Sequence, residues 1–102
     1  MSLFSLFGPA IKYSQHEHAL PELELKKLLM HVHHVPGATV SEADRDLVLE
    51  AIETRRGGDG KISLQQIYEV LHKFKLANKI TKYDEAALMK AFEEYFAEHF
   101  SE

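Results

Sequence analysis

Three times in this chain a β-branched residue is followed by a hydroxyl residue and then by an amphipathic run, at Val40-Ser41, Ile62-Ser63 and Ile80-Thr81. A Ser or Thr oxygen in that place accepts a hydrogen bond from an otherwise unpaired amide of a first helical turn, so each pair marks a helix start. Ser63 with Gln66 has the spacing of a capping box, and Ile62 with Ile67 that of a hydrophobic staple. Ser41 with Asp44 and Thr81 with Asp84 are looser versions. The runs that follow recur every three or four residues, as one buried face of a helix requires. They are Ala43, Leu47, Val48, Ala51 and Ile52, then Leu64, Ile67, Tyr68, Leu71 and Phe74. The last is Leu88, Met89, Phe92, Tyr95, Phe96 and Phe100.

An earlier helix is expected from Pro21, which suits a first helical position, with Glu22 and Glu24 near the positive end of the dipole. Its stripe is Leu25, Leu28, Leu29 and Val32, and Pro36-Gly37 ends it. A short first helix is expected from about Ser2 to Tyr13, bent or restarted at Pro9, while Ser14 to Leu20 reads as polar and turn-like. No strand-like alternation of useful length occurs. The expected fold is all-α, one compact domain over residues 1–102 with four to five helices and short connections.

With 102 residues, 45% of them hydrophobic, the chain can bury a single core without covalent staples. It has no cysteine, which excludes disulfides and cysteine-based zinc sites. A net charge of −4 argues against the nonspecific grip on phosphate that most nucleic-acid binders use. No segment approaches the roughly 20 apolar residues of a membrane span. Residues Met1 to Ile11 are apolar, but they lack a basic start and a small-residue cleavage site, and Gly8-Pro9 interrupts them. They are expected, as part of an element over residues 1–13, to dock on the core. A membrane-surface contact is the alternative, with only Lys12 as a basic anchor.

Between the first and second of the three runs lies Gly57-Gly58-Asp59-Gly60-Lys61-Ile62-Ser63. Asp59-Gly60-Lys61-Ile62-Ser63 resembles the second half of an EF-hand calcium loop, and the helix-loop-helix that carries the resemblance covers about residues 41–74. In that register Gly60 is the sharp-turn glycine at loop position 6, and Ile62 is the apolar residue two places later. The resemblance implies a small ligand set: the Asp59 carboxylate, the Lys61 backbone carbonyl, the Ser63 hydroxyl or a water on it, and Gln66. Gln66 stands where a bidentate Glu should close the site, position 1 is Arg55 and position 3 is Gly57. Calcium needs six to eight oxygens, mostly from carboxylates, and Arg55 and Arg56 place positive charge at the mouth. The loop keeps the turn and lacks most of the ligands, so no cofactor is expected, calcium being the alternative. Read from the residues alone, the segment is an interhelix turn that ends in a helix cap.

Seven histidines, among them His16-Glu17-His18 and His31-Val32-His33-His34, raise a transition-metal or pH-responsive reading, but a metal needs three to four converging ligands. His31 and His34 share a face opposite the leucine stripe and read as a solvated polar surface. Lys73, Lys75, Lys79 and Lys82 cluster at the end of the helix that begins at Ser63, where cations complement its dipole. Tyr83, Tyr95, Phe96 and Phe100 are the candidates for an interaction surface. No P-loop, dinucleotide fingerprint or nucleophile elbow occurs, so the chain is not expected to be an enzyme. The expectation is a small acidic, cytoplasmic, helical protein that binds a protein partner or itself. A weak calcium-binding regulator and a histidine-dependent metal or pH-responsive protein are the alternatives.

Overall fold

The cap residues named above begin the helices. The computed structural model describes residues 11–31 and 39–100, in the order β1 (Glu17–Ala19), α1 (Glu22–His31), α2 (Glu42–Arg55), β2 (Lys61–Ser63), α3 (Leu64–Leu76) and α4 (Lys82–Phe100). The fold is all-α, with one small two-stranded ladder. Ser41 Oγ accepts from the Asp44 amide at 3.1 Å. At α3 the capping box is complete: Ser63 Oγ accepts from the Gln66 amide at 3.0 Å, and Gln66 Oε1 accepts from the Ser63 amide at 2.9 Å. Thr81 and Asp84 build the same reciprocal pair at the start of α4, at 3.1 and 2.9 Å, with the shorter carboxylate in place of a Glu or Gln. Each such cap contributes about 1 kcal/mol.

The C-terminus of α3 is closed as deliberately as its start. Asn78, with φ of 61°, takes the left-handed conformation that lets the chain leave the helix. Its amide donates to the Lys75 carbonyl and the Lys79 amide to the Phe74 carbonyl, which satisfies two end carbonyls in a Schellman pattern.

Helix α3 packs on α4 and on α2, and α1 packs on α2 and α4. Their shared core includes Leu25, Leu29, Val48, Ile52, Ile67, Leu71, Leu88, Phe92 and Phe96, all at most 2% exposed. Burying each such side chain stabilises the fold by about 1.5–3 kcal/mol. On α4 the buried Leu88, Met89, Phe92, Tyr95 and Phe96 lie on one face at helical spacing. Ile62 and Ile67, the staple pair, are both fully buried.

Asp84 does more than cap α4. It is fully buried, and its carboxylate also accepts from the Thr39 amide and the Thr39 hydroxyl, each at 2.8 Å. The residues that lead into α2 are thereby tied to the first turn of α4. Burial alone would raise the Asp84 pKa, but the hydrogen bonds from Thr81 and Thr39 outweigh it and hold the carboxyl below its ordinary value.

Several expectations are corrected. Residues 11–13 are not helical; the rest of the helix expected from Ser2, and with it most of the docked element at residues 1–13, lies outside the described residues. So do Val32 and the stop at Pro36-Gly37. The turn-like stretch from Ser14 to Leu20 contains β1, a strand of three residues and too short for alternation to be visible. On α2 the buried stripe is narrower than its sequence pattern, because Val48 and Ile52 fill the contact with α1 and α3 while Leu47 stays 45% exposed. Among the described residues, no helix is long and apolar enough to cross a membrane.

Candidate functional site

The α2–α3 loop is built from its two helix ends inward. At the C-cap of α2, Arg56 is extended and its amide donates to the Ile52 carbonyl, which ends the helix. The chain then folds back: the Gly60 amide donates to the Gly57 carbonyl at 2.8 Å and the Gly57 amide to the Lys61 carbonyl at 3.0 Å. Gly60 has φ of +78°, the left-handed turn that an L side chain disfavours. Asp59 Oδ1 accepts from the Lys61 amide at 3.1 Å, an Asx-type contact that steadies the same turn.

The loop is not free-standing. Its strand β2 pairs antiparallel with β1, Glu17 opposite Ser63, His18 opposite Ile62 and Ala19 opposite Lys61. The Leu20 amide donates to the Gly60 carbonyl at 3.0 Å, and the Arg56 guanidinium donates to the Leu20 carbonyl. Beside the ladder, Gln65 is 3% exposed and hydrogen-bonded through both its oxygen and its nitrogen. Its Oε1 accepts from the Lys12 and Tyr13 amides at 3.0 and 3.1 Å, and its Nε2 donates to Glu69 at 3.2 Å. The Gln65 amide in turn donates to the Ser14 carbonyl. Arg55 donates to the other Glu69 oxygen at 2.9 Å. Tyr13 rests against Tyr68 with ring centroids 5.2 Å apart; burial and then the charges of Glu93 and Glu85 raise its phenol pKa.

The four candidate ligands are therefore neighbours in space, and each is already in use. The Lys61 carbonyl takes the Gly57 amide, Asp59 takes the Lys61 amide, and Ser63 and Gln66 cap each other. Ser63 is 2% exposed and Asp59 lies at the surface. Among the described residues, no group of three or more His, Asp or Glu side chains is arranged to hold a metal ion. His16 and His31 are exposed, His33 and His34 lie outside the described residues, and His18 stacks on Phe100 with centroids 4.4 Å apart.

The candidate interaction residues separate. Tyr83 is 69% exposed, with the Lys82 ammonium 5.3 Å from its ring centre. Tyr95 and Phe96 belong to the core, because they share the face of α4 that carries Leu88 and Phe92. Phe100 is half-buried against His18 and Phe96. Sequence reasoning missed Gln65, the bond from Arg56 to Leu20 and the partner strand β1; none of them carries a local signal, since each acts on a segment more than thirty residues away.

Compared with protein-family models, curated proteins and solved structures, the chain matches none of them. Fold and loop together define a small helical domain whose two loop segments are joined by a short antiparallel ladder.

Proposed function

We propose that this chain is a non-enzymatic helical domain that works by contact with a protein partner or with itself. In this reading its centre is a pair of EF-hand-like loops that keep their shape without calcium. The observation that carries it is the bonding of the loop itself: each group placed to receive a cation already receives a protein N–H. One carboxylate falls far short of the charge and the six to eight oxygens that calcium takes. The second loop is residues 11–22, and its support is the ladder, which sets His18 opposite Ile62 at its centre. A cytoplasmic location belongs to the same proposal.

The test is an isotope-labelled amide spectrum with and without millimolar calcium or zinc. Amides of residues 55–66 are expected to stay in place. Calorimetry giving a calcium dissociation constant of about 10⁻⁵ M or tighter, abolished by Asp59→Ala, would instead make the chain a calcium-binding regulator.

A further inference from the structure

We infer that the corner between α3 and α4 docks a second copy of this chain, seated against the acidic outer face of that copy's α2. This rests on the interaction reading above and names its partner and its surface. From Lys73 to Tyr83 the chain carries four lysines and no carboxylate. The carboxylates nearest in sequence are already held: Glu69 by Arg55 and Gln65, Asp84 by Thr39 and Thr81, and Glu85 by His72 at 3.2 Å. Among the described residues, none of the four lysines is in an ion pair. The same corner presents Leu76 and Tyr83, 67% and 69% exposed, as open to solvent as any large apolar side chain among the described residues. Positive charge outside any of the described ion pairs and unburied apolar area thus coincide at one corner of the fold, and the Schellman closure at Asn78 shapes the connection there.

The complement is on the same molecule. Outside that segment the chain carries eight Lys and Arg against sixteen Asp and Glu, a balance of −8. Glu42, Asp46 and Glu50 recur every four residues along α2, all exposed, and Leu47 lies among them, 45% exposed. One weak internal contact competes, Arg45 Nε to Asp46 at 4.0 Å. The hydrogen bonds from Thr39 to Asp84 bring the start of α2 beside the start of α4, so the acidic row and the basic corner sit on adjoining elements. A chain that carries both patches pairs them reciprocally across a two-fold axis: each copy's corner meets the other's row, and the contact closes as a dimer. Lysine ammonium to carboxylate sets the register, while Leu76, Tyr83 and Leu47 supply the apolar centre.

The experiment is sedimentation of the full chain over a range of concentrations at about 50 mM and about 500 mM salt, where screening differs most. A dimer is expected at low salt, with its dissociation constant raised about tenfold or more at high salt. The variant Lys79→Glu/Lys82→Glu should be monomeric under the same conditions, and so should Asp46→Lys/Glu50→Lys. An equimolar mixture of the two should dimerise again, because each reversed face then meets its opposite. Circular dichroism and urea midpoints like those of the wild type keep misfolding out of the comparison. A wild-type monomer at every concentration would overturn the inference and leave the proposed function standing. Dimerisation of either variant alone, or failure of the mixture to associate, would overturn it as well. Binding to phosphatidylserine vesicles that is lost in Lys79→Glu/Lys82→Glu, without any dimer, would reassign the corner to lipid. Tight calcium binding would overturn the metal-free loop without touching the dimer.

Discussion

Asp84 shows how one side chain can cap a helix and tie a distant segment to it. Its carboxylate is out of contact with water and takes hydrogen bonds from Thr81 and from both donors of Thr39. Asp84→Ala removes all of these hydrogen bonds to a charged acceptor at once, although Thr39 and Thr81 are themselves exposed; the loss costs about 1.5–3 kcal/mol and should lower the urea midpoint accordingly. The pH dependence follows from the depressed pKa. The unfolded chain takes up the proton first, so the contribution is complete above the ordinary value of 3.8 and is lost as pH falls through the lower folded value. Urea titrations across that acid range should show the loss in the wild type and not in Asp84→Ala.

At the scale of the element, the loop between α2 and α3 is held by backbone geometry. A side chain added at Gly60 meets no atom within 4 Å, yet φ of +78° makes the substitution strained whatever the space. Gly58 has open space and no such angle. Gly57 is intermediate, since a Cβ there would sit 2.9 Å from Asp59 Oδ1 and push that carboxylate off the Lys61 amide. The expected order of urea midpoints is therefore Gly58→Ala near the wild type, Gly57→Ala lower, and Gly60→Val lowest, by about 1–2 kcal/mol or more. Equal midpoints for the three variants would show that the reversal at Gly60 does not hold the helices in place.

Over the whole molecule, the aromatic residues of α4 divide between core and surface. Phe92 is fully buried, so Phe92→Ala should cost about 3–5 kcal/mol, a large part of the 5–15 kcal/mol that holds an ordinary domain together. Tyr83→Ala should change stability by less than about 0.5 kcal/mol, because its ring lies in solvent. Thermal or urea unfolding of the two variants measures the difference directly. A Tyr83 variant as unstable as the Phe92 one would place that ring in the core and remove it from any docking surface.

The sequence by itself determined whatever rests on neighbours along the chain. Ser63 and Gln66 are three residues apart, so their capping box is a local event, and the stripes of α3 and α4 are a matter of period. The same locality made the turn at Gly60 legible, together with the candidate ligands around it. Tertiary structure alone decided which of those stripes meet, and how fully. Leu47 has the right spacing on α2 but stays 45% exposed, whereas Tyr95 and Phe96 are enclosed by what packs on α4. Nor could spacing disclose that Gln65 would bind the amides of Lys12 and Tyr13, or that His18 would stand opposite Ile62. Such contacts depend on two distant segments arriving at one place, and burial then obliges whatever polar groups meet there to pair.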